Sequence, residues 1–413
     1  MRIRLGTLLK VDNVSLLLGA GASKPAGGPL LGSVPLALEK SLLDKGIANH
    51  RVCEWLDVFY SAVAMVTQGP SLVPAGQDEI LERSANLGSA QPLPANCELV
   101  LSRLYAWSQA FPSATAQLAL AGSSMPALRQ SDVHDCMSHL TDAIVAQCAL
   151  PSATASGDPL VHHRDLLKRL LTRPLTFKRV NVFTLNYDTL VEQAADAEGA
   201  VLLDGFVGTM RRIFRPESYD HDLYFPAETT EGRVHRLDRV IHLYKLHGSV
   251  SWRSSTPSWS DPYGLQATEG TLDGADSAVI YPTPAKHGAT LGMPYAELFR
   301  RFANTIVRPQ STLIVVGYGF GDEHVNAIIR QALGVPSFSL VIVDPEPTSD
   351  FVQTLRNQSD LRVWFVGGHT LGTIEGFVSR VLPDLRDEEI LRKVVGTYNA
   401  LGTFPATSVS SGP

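Results

Sequence analysis

The chain has 413 residues, 44% of them hydrophobic and 18% charged, with a formal net charge of −6. This is the composition of a globular protein large enough for a substantial core and a second lobe. The acidic balance argues against a whole-molecule grip on nucleic acid, and no apolar run reaches the length of a membrane span.

The N-terminal MRIRLGTLLKVDN has basic residues but neither the sustained apolar core nor the cleavage site of a secretion signal, so the expected compartment is the cytoplasm. The four cysteines, Cys53, Cys97, Cys136 and Cys148, form no CxxC pair and have no histidine at zinc-finger spacing. They are expected to be buried small hydrophobes, and no metal is expected.

Along the chain, the first strong element is the apolar run Val14–Leu18, followed by Gly19-Ala20-Gly21-Ala22-Ser23. A short aliphatic run that stops at glycines predicts a buried parallel strand with a site-forming loop at its carboxyl end. Glycines there let a phosphate approach the backbone amides, or they simply make a tight turn. No third glycine completes GxGxxG, and no GxxxxGK[ST] is present, which argues against a P-loop ATPase.

Residues 41–164 have another texture. Cys97–Ala110 and Val133–Leu150 carry apolar residues at mixed three- and four-residue spacings, which predicts helices, separated by Gly-, Pro- and Ser-rich stretches. Val52, Trp55, Leu56, Phe59, Leu101, Leu104, Trp107 and Phe111 suit either an internal core or an interface.

A second strand, Val180–Leu185, runs into Asn186-Tyr187-Asp188. Asn186 at a strand end can hold a ribose hydroxyl or a water, because its amide both donates and accepts. Alternatively, the segment is an Asx-turn in which Asp188 caps a helix over Thr189–Ala197. Residues 204–240 read as a polar and aromatic interruption. Val240–Leu243 is strand-like and leads to Lys245-Leu246-His247-Gly248-Ser249, where His247 is either a general base or a packed structural residue. Thr312–Val316 runs into Gly317-Tyr318-Gly319-Phe320-Gly321-Asp322, a second glycine-rich turn before a helix over His324–Leu333. Leu340–Val343 ends at Asp344, which can accept hydrogen bonds from two ribose hydroxyls. The terminal TFPATSVSSGP offers little to pack.

The order GAGAS, TLNYD, KLHGS and VVGYGFGDEHVN resembles the sirtuin superfamily, and more closely its bacterial sirtuin-like branch. YPTPAKHGATLGMPYAELFRRF looks like the linking segment of that branch. The resemblance covers about residues 10–40 and 165–385. It implies an α/β Rossmann-type parallel sheet, discontinuous over 1–40 and 165–385, with a large helical insertion at 41–164 and a C-terminal segment at 386–413.

It also implies that Gly19, Ala20, Gly21 and Ser23 cradle the pyrophosphate of NAD, with Gly317, Tyr318 and Gly319 forming the opposing turn. Asn186 and Asp188 would then lie at the nicotinamide ribose, with His247 as base. Two departures from protein-deacylating sirtuins stand out. No paired cysteines follow the histidine-glycine pair to hold a zinc lobe, and Gly317-Tyr318-Gly319 stands where those enzymes carry G-T-S. The implied activity is therefore NAD hydrolysis to nicotinamide and ADP-ribose in antiphage defence, with NAD-dependent protein deacylation or non-catalytic NAD binding as alternatives. The implied partners are NAD, further copies of the chain and a HerA-type ring ATPase, with no direct nucleic-acid or membrane contact.

Overall fold

The computed structural model describes residues 2–30, 34–46, 50–66, 77–86, 93, 97–111, 113, 117–118, 127–151, 157–226, 234–270, 277–279 and 292–386. Expectations for the first half of the YPTPAKHG segment and for the C-terminal tail fall outside these residues.

Seven strands form the central sheet: β1 (Asn13–Leu18), β2 (Asn181–Thr184), β3 (Val201–Leu203), β4 (Val240–Lys245), β5 (Ser311–Val316), β6 (Ser339–Val343) and β7 (Val363–Val366). Their order across the sheet is β7-β6-β5-β1-β2-β4-β3, and every neighbouring pair is parallel. This is the α/β Rossmann-type sheet expected from the apolar runs. β1 lies at its centre, with Leu16 opposite Ile314 on one side and Val182 on the other.

Side chains alternate between the faces, as strand geometry requires. Leu16, Leu18, Ile314, Val316, Val341 and Val343 enter one core, together with residues of the helices Val161–Leu170 and Leu190–Glu198. Leu17, Leu313, Val315, Leu340 and Ile342 enter the other, beneath the helices Tyr295–Ile306, Glu323–Leu333 and Asp350–Gln358. With both faces covered, each fully buried aliphatic side chain contributes about 1.5–3 kcal/mol.

A small antiparallel sheet takes two strands from the stretch between β3 and β4 and three from the stretch after β4. Its strands, in spatial order, are Ser277–Val279, Gly248–Ser254, Leu265–Ala267, Arg212–Phe214 and Phe206–Val207. Phe206, Phe214, Trp252 and Leu265 from this sheet join the second core.

The insertion is helical and has its own core. The helices Val34–Leu43, His50–Val66, Cys97–Ala110 and Gln130–Gln147 bury Leu38, Leu42, Val52, Leu56, Phe59, Leu101, Leu104, Trp107 and Leu140 against one another, with Trp55 and Phe111 packed at the margin. The apolar positions read as core or interface are thus core. Val34, Leu38, Leu42 and Leu43 pack in the insertion's core, and Leu166, Leu167 and Leu170 in the sheet's.

Candidate functional site

The chain turns direction between β1 and β5. Connections from β1 build the sheet toward β2, whereas β5, β6 and β7 build it the other way. A crevice at the carboxyl ends of two such strands is where open parallel sheets bind ligands. Both glycine-rich turns leave the sheet there, and they are packed backbone to backbone. A Cβ on Gly19 would stand 2.6 Å from the Gly317 carbonyl oxygen, and one on Gly317 would stand 2.4 Å from the Ala22 nitrogen. Gly317 also has a φ of +66°. The glycines are therefore required, in the first instance, by each other.

This contact uses some of the amides assigned to phosphate. Gly19 donates to Val316 and Gly21 to Gly317, at 3.0 and 2.8 Å. Ala20 opens the short turn Ala20–Ser23, so no carbonyl of that turn can take its N–H. In the second loop, Tyr318 is buried and its hydroxyl accepts from the Asp322 amide at 3.0 Å. The phenol thus braces its own loop, which leaves backbone rather than side chain to meet a ligand. Gly319 borders open space. Asp344 ends β6 at the same edge, and its Oδ1 accepts from the Glu346 amide at 2.9 Å.

Beside β1, the end of β2 carries a connected chain of hydrogen bonds. Asn186 Nδ2 donates to the Gly19 carbonyl at 2.9 Å and to Ser23 Oγ at 2.8 Å. Ser23 Oγ in turn donates to Asp188 Oδ2 at 2.6 Å, while Asp188 Oδ1 accepts from the Leu190 amide at 3.1 Å. Both hydrogens of the Asn186 amide are occupied, and no donor among the described residues reaches its Oδ1. Asp188 is buried with each oxygen engaged. Its two oxygens are held by the Ser23 hydroxyl and the Leu190 amide. The Asx-turn is formed, with Asp188 Oδ1 accepting from the Leu190 amide, but the helix runs over Leu190–Glu198 and its N-cap position is Thr189 rather than Asp188.

His247 follows β4, the neighbour of β2, and is buried. Its Nε2 lies 3.2 Å from Asp322 Oδ2, a carboxylate capping the helix Glu323–Leu333 through its other oxygen. A carboxylate so placed can fix the orientation and tautomer of an imidazole. Asp322 was legible only as part of the GYGFGD turn. The charge of a helix cap is visible in a sequence, but its approach to a histidine some 75 positions earlier is not.

Behind these residues is a second buried layer. The Lys245 ammonium contacts Glu192, whose carboxyl is pushed up by burial against the opposing pull of Lys245. Burial also holds His163 neutral, lowering it to about 4 despite nearby Asp188, and raises the Cys148 thiol to about 12. None of the four cysteines is in a disulfide among the described residues. Among the described residues, no cluster suited to a metal ion is present, and no helix is long and apolar enough to cross a membrane.

Residues 180–363 match the family model of a SIR2-like domain. Among solved structures, a Sir2 homolog in complex with NAD aligns over 94% of this chain and 95% of its own, at 11% identity and a TM-score of 0.35. No curated protein matches. The matched stretch takes in Asn186, Asp188, His247, Asp322 and Asp344, and the GAGAS turn of β1 lies outside it. The similarity to a SIR2-like domain thus runs from the start of β2 to the start of β7.

Proposed function

We propose that the protein cleaves NAD at the nicotinamide–ribose bond, releasing nicotinamide and ADP-ribose. The bond is already activated, because the cationic ring departs as neutral nicotinamide and takes the bonding electron pair with it. The protein has to stabilise the oxocarbenium-like ribose and deliver a water to it, by positioning and electrostatics. Asn186 Oδ1 orients that water, and His247, aligned by Asp322, takes its proton as the new C–O bond forms. Ser23 and Asp188 lock the asparagine. Ala20, Gly317, Gly319 and Asp344 line the edge where the diphosphate and the second ribose would lie. No metal takes part.

The observation that carries this reading is the saturated chain Asn186–Ser23–Asp188, which presents a single fixed acceptor at the sheet's functional edge. The SIR2-like match over the stretch that holds Asn186 and His247 supports the choice of substrate.

The proposal includes the setting that the sequence resemblance suggests. In it, the protein is a cytoplasmic antiphage effector that depletes NAD, held silent until it assembles with further copies or with a HerA-type ring ATPase. An assembly surface on the insertion would use Met65, Leu99 and Tyr105, which are exposed.

The test is incubation of the purified protein with NAD, alone and with the candidate ATPase, followed by separation of products. Nicotinamide and ADP-ribose without any peptide are expected. O-acyl-ADP-ribose formed only with an acylated peptide would point to deacylation instead. NAD bound but never consumed would leave a binding subunit.

A further inference from the structure

Lys245 ends β4 with its side chain 2% exposed, two residues before His247. Its Nζ lies 2.8 Å from Glu192 Oε1, 3.4 Å from the Tyr187 carbonyl, and in hydrogen-bond contact with the Asp188 carbonyl. Three N–H donors thus meet three acceptors. Two of those acceptors belong to the turn that carries Asn186. The same turn is held from a second point, since the Val250 amide donates to the Tyr187 carbonyl at 3.0 Å. The segment from Lys245 to Val250 therefore grips the 186–188 turn from behind while carrying His247 itself.

Burying an ammonium costs several kcal/mol, and buried ion pairs can often be exchanged for apolar residues without loss of stability. Stability alone does not account for a lysine here. The inward-facing Asp188 carbonyl does, because an apolar side chain could not satisfy it, whereas the Tyr187 carbonyl also accepts from Val250 and Ser249.

We propose that Lys245 is a positioning residue: its buried ammonium sets the 186–188 turn so that Asn186 and His247 face one reaction point. The inference rests on the NAD-cleaving reading for its consequence, but not for its structural content. In the ordinary fold, the ammonium clamps two carbonyls, Glu192 neutralises it, and the Asn186 carboxamide is held against displacement along the crevice.

The experiment compares wild type with Lys245→Met/Glu192→Leu, which removes both buried charges together, and with Glu192→Gln, which leaves the ammonium on its carbonyls. Thermal unfolding, backbone hydrogen exchange over residues 185–190 and steady-state NAD cleavage are measured on each.

For the double variant, the expected result is a melting temperature near that of wild type and exchange over 185–190 at least about ten-fold faster. Its kcat is expected to fall roughly a hundred-fold, with KM changed far less. Glu192→Gln keeps an acceptor oxygen facing the ammonium and is expected to keep both kcat and exchange within about three-fold of wild type. A folded double variant with unchanged exchange and kcat would overturn the proposal, as would Glu192→Gln losing as much as the double variant. Should the double variant not fold, Lys245→Gln/Glu192→Gln keeps the volume and one donor. It is read by the same exchange measurement, with acceleration expected and no change overturning the idea. Exchange needs no turnover, so wild type that leaves NAD intact would defeat the functional reading alone.

Discussion

The sheet and the insertion handle their polar residues in opposite ways. In the sheet, the central strands are mostly apolar, and polar side chains gather at one edge, with Ser23, Asn186 and Asp188 in one hydrogen-bonded chain and His247 beside Asp322. The insertion keeps a polar knot inside. There Glu39, 0% exposed, accepts from Tyr60 at 2.6 Å and from Arg83 at 2.9 Å. The edge cluster borders a crevice, whereas the knot faces only packed side chains. Similar chemistry thus has different consequences, because a hydrogen bond facing a ligand site can be spent on function and one facing a core can only fix the fold.

That contrast can be broken by experiment, beginning in the insertion. Glu39→Leu removes the buried carboxylate that accepts from both Arg83 and Tyr60, and a loss of about 3 kcal/mol in unfolding free energy is expected, with the folded fraction retaining its kcat. Denaturant titration checks the first part, and a kcat that fell in proportion would show that the knot reaches the site. Asn186→Ala should do the converse. Roughly a hundred- to thousand-fold less NAD cleavage is expected, with unfolding unchanged, since one preorganised polar group at a reaction centre is worth that much. Normal turnover in the folded variant would remove Asn186 from the mechanism.

Acid should sharpen the comparison further. His163 and His242 in the sheet domain are both lowered to about 4, chiefly by burial. Their unfolded value is about 6.5, so between these limits the unfolded chain binds protons that the native state refuses. Their contribution is therefore complete above pH 6.5 and is lost as the pH falls toward 4, on the order of a few kcal/mol in total. Unfolding measured at several pH values should show this slope, and His163→Leu should flatten it. An unaltered slope would place the acid sensitivity elsewhere.

The smallest contrast lies within a single loop. Gly317→Ala meets both a positive φ and the Ala22 backbone, and about 1–3 kcal/mol of destabilisation is expected. Gly319→Ala has open space around it and should stay within about 0.5 kcal/mol. Melting curves of the pair decide it.

Much of this could be read from residues in order. Val14–Leu18 and Thr312–Val316 are aliphatic because both sheet faces are covered, and that pattern survives without knowledge of the fold. Asn186 and His247 were visible as polar residues immediately after such runs. The small antiparallel sheet was not, because strands of two or three residues, such as Phe206–Val207, are too short to show an alternation. Lys245 and Asp322 were hidden for another reason. Whether a charge is solvated or buried against a distant carbonyl depends on tertiary neighbours that local pattern does not encode. The glycines of GAGAS were legible as a demand for backbone space, while the occupant of much of that space, the Gly317 turn, was not.

The interlocking of those two turns bears on how the protein is made. β1 occupies the middle of the sheet, yet its neighbour β5 and the Gly317 turn are encoded about three hundred residues downstream. A ribosome that has released the first three hundred residues carries a nascent chain whose β1 lacks one flank, and whose Gly21 amide has no carbonyl to meet. Such long-range closure is slow relative to local helix formation. The insertion, with its self-contained core, can consolidate during synthesis, but the crevice takes shape only once β5 and the Gly317 turn have emerged. A product truncated before β5 would then lack one wall of that crevice altogether.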